Sequence, residues 1–99
     1  MTSISDATHL SSSEMEVLAI HVSESWISLA PMLGVDESNV EKIFDGDKGF
    51  LILCKEYSQY FQAAILLYLY NESDNLSRGR LVQSCKKFGI FAVKEILKK

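Results

Sequence analysis

The spacing of apolar residues constrains the fold of this chain more than any other feature of its sequence. Apolar side chains recur every three or four positions along most of the chain, which is the period of an amphipathic helix. Met15, Leu18 and Val22 show this spacing, and so do Leu29 and Leu33. One Pro and five Gly are too few for a fold of many short strands joined by turns. The pattern therefore predicts an all-helical fold.

Helix start and stop signals divide the chain into six predicted helices. Ser11 stands three residues before Glu14, which is the spacing of a capping box at a helix N-terminus. Gly34 follows an apolar run, at a place where a residue in the left-handed conformation commonly ends a helix. Asp36 and Ser77 are placed to cap the third and fifth helices. Six helices with short connections predict a compact antiparallel bundle.

Two segments fit the helical pattern less well. Pro31 removes a backbone hydrogen bond, so it should shorten or kink the second helix. Residues 45–49 are rich in the turn formers Asp and Gly, whereas residues 50–54 have the composition of a short strand. Since no partner strand is evident elsewhere, we expect residues 50–54 to be helical or irregular. The structure of residues 45–56 stays open at this point.

Length and composition define the expected organisation. A chain of 99 residues forms one small domain, which we assign to residues 11–99. Residues 1–10 are polar and lack the parts of a signal peptide, so we expect a flexible tail there. No apolar run approaches the ~20 residues needed to span a membrane. Cys54 and Cys85 lie among apolar residues, where we expect reduced thiols of a cytoplasmic protein.

Charge is distributed unevenly along the chain. Residues 1–50 contain nine acidic residues and two lysines, whereas residues 51–99 contain four acidic and eight basic residues. A molecule with an acidic half and a basic half can bind a copy of itself, or a relative, through opposite potentials. The alternative is that both charged faces only keep the protein in solution.

Several segments of the chain form an ordered set of motifs. Residues 26–35 contain a Trp followed by Leu-Ala and then Leu-Gly. Further motifs lie at 64–68, 75–77, 81–82, 88–90 and 96–97. Taken in order, these segments resemble the death domain family, the first its second helix and the others its fourth helix to its last. The resemblance covers roughly residues 15–98 and depends on the ordered set of motifs, since each motif alone is common.

Three features depart from the family pattern. Tyr68 stands near the end of the fourth helix, where the family usually has Trp. Pro31 replaces a residue that is more often Arg or another polar one. The connection after Ile43 is longer than is common and carries the apolar residues 50–53. This connection is a contact region in family assemblies, so its length bears on binding.

The resemblance implies a six-helix antiparallel bundle of the Greek-key death-fold type, with no catalytic site, metal or cofactor. It implies an adaptor that binds another death-fold domain, of its own or a different chain, in apoptotic or innate-immune signalling. Homo-oligomers are common among such domains. Neither a small-molecule substrate nor a membrane is an expected partner.

Charge and spacing assign candidate residues to these roles. The acidic contact face comprises Asp36, Glu37, Glu41, Asp45 and Asp47. The basic contact face comprises Arg78, Arg80, Lys86, Lys87 and Lys94. A candidate apolar contact, which has core packing as its alternative, comprises Phe50, Leu51, Ile65, Leu66 and Leu69. The residues expected in the core are Leu18, Trp26, Leu29, Leu33, Ile43, Phe61, Tyr68, Leu81, Cys85, Phe88 and Leu97.

Other classes of function have weaker support in the sequence. His9 and His21 have no spaced partners that indicate a catalytic triad, and residues 45–47 lack the further ligands of a calcium loop. A nucleic-acid-binding bundle would use the basic residues near the C-terminus, but the chain is acidic overall, with a net charge of −3. A bundle similar to the sterile alpha motif, or a sister family such as the caspase-recruitment domains, is the nearer alternative.

Overall fold

The computed structural model describes residues 8–46 and 55–97, with side chains described at 8–44 and 59–97. A long first helix, α1, covers Ser12–Val22 and is followed by a turn of 3-10 helix at Ser23–Ser25. The later helices are α2 (Trp26–Met32), α3 (Glu37–Gly46), α4 (Lys55–Asn71), α5 (Arg78–Lys86) and α6 (Ala92–Leu97). These residues contain helices and no strand, which confirms the all-α class for the part of the chain described. The possible strand at 50–54 lies outside it.

Helix α1 begins with the predicted capping box. The Ser11 hydroxyl Oγ accepts a hydrogen bond from the backbone N–H of Glu14 at 3.1 Å. In return, Oε1 of Glu14 accepts one from the backbone N–H of Ser11 at 2.8 Å. Two backbone donors that would otherwise lack helical partners are therefore satisfied at this end. Leu18, Ala19 and Val22 form the buried side of the helix.

Helix α2 is short and ends at a glycine. Pro31 lies on the exposed side near its C-terminus, where the missing N–H costs only one bond of the last turn. Gly34 has a φ of 75°. The N–H of Val35 donates to the carbonyl of Ala30 at 2.9 Å, and the N–H of Gly34 donates to that of Pro31 at 3.2 Å. These two bonds form a Schellman motif, which requires a left-handed residue at Gly34.

Replacement of Gly34 by alanine is expected to destabilise the domain by about 1–3 kcal/mol, since alanine rarely adopts a positive φ. An added Cβ would also lie 3.1 Å from Nδ2 of Asn75. Gly89 is the matched control, because its φ is 77° but a Cβ there would meet nothing within 4 Å. Urea denaturation should therefore show a larger loss for Gly34→Ala than for Gly89→Ala. Equal losses would mean that the contact with Asn75 has no energetic effect.

Helix α4 is the central element of the bundle. It packs against α1, α2, α3 and the 3-10 turn, while α6 packs against α1 and α5. The core between these helices consists of large apolar side chains that are almost fully removed from solvent. The largest of them are Trp26, Tyr70, Leu18, Leu29, Leu33, Leu66, Leu67 and Leu81.

The buried face of α4 differs from the predicted one. Its fully buried apolar residues are Ala63, Leu66, Leu67 and Tyr70. Tyr68, which was expected in the core, is 54% exposed, and Phe61 is half-buried. The prediction chose the wrong face because α4 is apolar nearly all round, so the helical period does not select one side.

Two further residues expected in the core lie at the surface. Ile43 is 41% exposed, because the buried side of α3 is at Val40, which is fully buried, and Ile43 does not share that side. Phe88 is 36% exposed, because α5 ends at Lys86 and Phe88 lies in the turn that follows. The other residues assigned to the core are buried: Leu18, Trp26, Leu29, Leu33, Leu81, Cys85 and Leu97.

Candidate protein interaction site

Arg78, one of the residues assigned to the basic contact face, is instead a buried structural residue. Its guanidinium donates from Nη1 to Oε2 of Glu14 at 3.0 Å and from Nη2 to Oε1 of the same carboxylate at 3.1 Å. Nε donates to the carbonyl of Thr8 at 2.9 Å, and Nη2 also donates to that of His9 at 2.8 Å. The Arg78 side chain is only 9% exposed, so it is not available to a partner. No local pattern indicates this role, because the partners of Arg78 are more than sixty positions away in the chain.

The segment just before α1 is held by a second pair of hydrogen bonds. Oδ1 of the buried Asn71 accepts from the N–H of Leu10 at 2.7 Å, and Nδ2 of Asn71 donates to the carbonyl of Leu10 at 3.2 Å. Leu10 itself is only 4% exposed. Hydrogen bonds therefore hold residues 8–10 against the bundle. The flexible tail expected for residues 1–10 stays a prediction for residues 1–7, which lie outside the described part.

The Glu14 carboxylate is the electrostatic counterpart of Arg78. The hydrogen bonds from Arg78 hold the pKa of Glu14 below its ordinary value of 4.5, and the backbone N–H of Ser11 acts in the same direction. Burial opposes this shift, since it disfavours a charged carboxylate. The Glu14 side chain is 17% exposed, so the pair is screened only in part by solvent.

A shallow groove lies beside this ion pair, between the start of α1 and the end of α6. Its volume is about 680 Å³, and its lining is His9, Ser11, Ser13, Glu14, Val17, Arg78, Glu95 and Ile96. The charged pair in its wall is already bonded within the chain. Across the described ranges, no group of three or more His, Cys, Asp or Glu side chains is arranged to hold a metal ion.

Arg80 is exposed but is also tied to the fold. Its Nε donates to the carbonyl of Met32 at 2.9 Å, in the last turn of α2. A cation at this position is favourable, because the carbonyl end of a helix carries partial negative charge. The backbone N–H of Arg80 donates to Oγ of Ser77, which caps α5 as predicted. Arg80 therefore links α5 to α2, and a substitution at this position would remove this link as well as change the charge of the basic contact face.

The remaining charged candidates project into solvent. Asp36, Glu37 and Glu41 are exposed on and just before α3. Asp36 caps this helix, and the bond from the N–H of Ser38 to its Oδ1, 3.0 Å long, lowers its pKa from 3.8. Asp47 and the side chain of Asp45 lie outside the described residues.

Among the basic candidates, Lys86 is the last residue of α5 and is half-buried, and Lys87 directly after it is exposed. Lys94 lies on α6 and is also exposed. Among the side chains described, the ion pair found is that of Arg78 with Glu14. The exposed acidic residues of α3 and these lysines thus do not neutralise one another within the described part of the chain.

The predicted apolar contact takes a different form in the structure. Leu66 is fully buried, whereas Ile65 and Leu69 are half-buried and pack against the core, so these three follow the core-packing alternative. Phe50 and Leu51 lie outside the described residues. Other apolar side chains are exposed instead, and none of them was predicted to be a surface contact: Val17, Ile20, Ile27, Ile43, Tyr68, Phe88 and Phe91. Phe91 is 65% exposed, which is unusual for so large an apolar side chain.

Cys85 is buried in the core rather than placed for chemistry. Burial raises the pKa of its thiol to about 11, because the charged thiolate is disfavoured away from water. The neighbouring Lys86 and Lys87 do not reverse this effect. Cys54 lies outside the described residues.

Comparison with known proteins gives no relative of this chain. No family model, no curated protein and no solved structure matches it. In the ranges 8–46 and 55–97, none of the helices combines the length and the apolar character that crossing a membrane requires.

Proposed function

We propose that this chain is a non-catalytic, cytoplasmic protein interaction domain of the death-fold type, which binds a second copy of itself or a related domain. The observation that carries this proposal is the separation of exposed charges between two parts of the bundle. The acidic surface consists of Asp36, Glu37 and Glu41 at α3. The lysine surface consists of Lys86, Lys87 and Lys94 at α5 and α6. Two surfaces of opposite charge on one molecule favour head-to-tail association.

The helical segments and their buried residues support the proposed six-helix Greek-key arrangement. Trp26 begins α2 and is 2% exposed, and Leu29 and Ala30 beside it are fully buried. Gly34 then ends α2 with a positive φ. These are the positions that carry the resemblance to the second helix of death domains. Signalling in apoptosis or innate immunity is the role proposed on that resemblance.

Electrostatics in such a contact acts mainly on recognition and on the rate of encounter. An exposed ion pair contributes only about 0.2–1 kcal/mol, so several pairs must form together. Long-range attraction between the acidic and lysine surfaces accelerates association and is weakened by salt. The revised pairing uses Lys86, Lys87 and Lys94, because Arg78 and Arg80 are bonded within the chain.

Charge reversal tests this pairing. Glu41→Lys or Lys87→Glu should each weaken association at low salt, whereas the double variant should recover part of it because the opposite charges meet again. Helix content by circular dichroism should remain that of the wild type, because both side chains are exposed. The measurement is the association constant by sedimentation equilibrium at low salt.

Glu72→Lys provides the matched control, since Glu72 is an exposed acidic residue just after α4 and belongs to neither surface. It changes the net charge by the same amount as Glu41→Lys. Equal weakening by both variants would show that only net charge matters and would contradict the proposed pairing.

A further inference from the structure

The turn between α5 and α6 displays two phenylalanines at the surface. Phe91 is 65% exposed and Phe88 is 36% exposed. The turn is fixed by backbone bonds: the N–H of Ile90 donates to the carbonyl of Cys85, and that of Gly89 donates to the carbonyl of Lys86, both at 3.0 Å. Together with the positive φ of Gly89, these bonds form a second Schellman motif. The two rings are therefore presented by a well-defined turn.

Basic residues surround this apolar turn in the sequence. Residues 80–97 contain four basic residues and one acidic residue. Lys86 and Lys87 directly precede Phe88, and Lys94 follows Phe91 on α6. Large apolar side chains inside a polar rim are typical of the residues that contribute most to the affinity of an interface. A partner for this turn should therefore combine exposed aliphatic surface with carboxylates.

Helix α3 has this chemistry. Residues 36–44 contain three acidic residues and one lysine. Ile43 lies among them and is 41% exposed. Within the bundle α3 packs mainly on α4, whereas α6 packs on α1 and α5. The two surfaces thus belong to different parts of the fold and can be used at the same time.

We infer that Phe88 and Phe91 are the apolar anchors of the lysine surface, and that their binding site is the α3 surface of a second copy of this chain, centred on Ile43. This inference rests on the proposed function and deepens it, since it names the occupant of the lysine surface. The contact joins two different surfaces, so it is heterologous and builds a head-to-tail chain or a ring rather than a two-fold dimer.

A pair of complementary variants tests the inference. Phe91→Ser removes the more exposed of the two anchors and keeps the α3 surface, whereas Ile43→Ser keeps both anchors and alters the centre of the α3 surface. Each variant alone should associate at least about tenfold more weakly than the wild type. An equimolar mixture of the two should form a 1:1 dimer that grows no further, because only one intact anchor and one intact α3 surface remain. Sedimentation velocity and light scattering measure both results.

Tyr68→Ser is the matched control, because Tyr68 is an aromatic residue of α4 that is 54% exposed and lies on neither surface. It should associate like the wild type. Circular dichroism should show equal helix content for all three variants, which separates loss of contact from loss of fold.

Three results with the variants would overturn the inference. In the first, Phe91→Ser associates as strongly as the wild type. In the second, Tyr68→Ser weakens association as much as Phe91→Ser does. In the third, the mixture of Phe91→Ser and Ile43→Ser stays monomeric. If Glu41→Lys and Lys87→Glu weaken association while Phe91→Ser does not, the charge pairing of the proposed function stands and the anchor fails. A wild-type chain that does not self-associate at any concentration also refutes the anchor, and then only a related partner remains for the proposed function.

Discussion

Replacement of Trp26 by alanine should destabilise the domain by about 3–5 kcal/mol, because it removes a large buried aromatic side chain and leaves a cavity. Trp26 is 2% exposed and is the largest of the fully buried residues. A domain of this size has a total stability of about 5–15 kcal/mol, so the substitution removes a large part of it. Thermal and urea unfolding followed by circular dichroism should show a much lower midpoint or no cooperative transition.

The neighbouring Ile27 is the control for this prediction. It is 54% exposed on the same helix, so Ile27→Ala should change stability by about 0.5 kcal/mol or less. If the two substitutions had similar effects, Trp26 would not be in the core and the position of α2 would be wrong.

The second large effect is expected at Arg78. Arg78→Met should cost about 3 kcal/mol, because it leaves the Glu14 carboxylate and the carbonyls of Thr8 and His9 without their donor. Arg80→Met removes a single bond from an exposed side chain, and should cost about 1 kcal/mol. Chemical denaturation at neutral pH measures both, and a smaller loss at Arg78 than at Arg80 would contradict the buried role of Arg78.

The same ion pair predicts a pH dependence. The pKa of Glu14 is lower in the folded state than its ordinary value of 4.5, so the folded state binds this proton less readily than the unfolded state does. The stabilisation is therefore complete above about pH 4.5 and is lost as the pH falls through the lower folded-state pKa. Glu14→Gln should reduce this acid-dependent loss. A wild type and a variant with identical stability profiles between neutral pH and about pH 3 would show that the pair has no such role.

Local features were predictable from the sequence because their causes lie within a few residues. The capping box of Ser11 and Glu14, the cap at Ser77 and the glycine that ends α2 depend only on neighbouring backbone groups. Helical spacing of apolar residues likewise predicted the all-α class. These signals were sufficient to predict that the chain is helical and to place several of the helix ends.

Tertiary relationships were not predictable in the same way. Nothing near Arg78 in the sequence identifies Glu14, Thr8 and His9 as its partners, so a charge count assigned it to a contact face. Helix α4 has apolar residues on every side, so its sequence does not indicate that Tyr70 faces inward and Tyr68 outward. The exposure of Phe91 depends on which residues the neighbouring helices cover, and this information is not present in a local pattern.

The lysine and acidic surfaces combine a feature that the sequence contains with one that it does not. The charge asymmetry is evident in the sequence, because charges can be counted along the chain. It did not distinguish charges that are free for a partner, such as Lys87 and Glu41, from charges that hold the fold together, such as Arg78. That distinction changes the residues that an experiment should alter.

The most direct test of the central claim is the mass of the wild-type protein in solution, measured by light scattering over a concentration series at low and at high salt. Charge-driven association predicts a mass that grows with concentration at low salt and returns toward that of the monomer at high salt. The reason is that salt screens exposed charges: the screening length is about 10 Å at 0.1 M salt and becomes shorter as the salt concentration rises. A monomer at every concentration, with a mass that salt does not change, would contradict self-association through these surfaces.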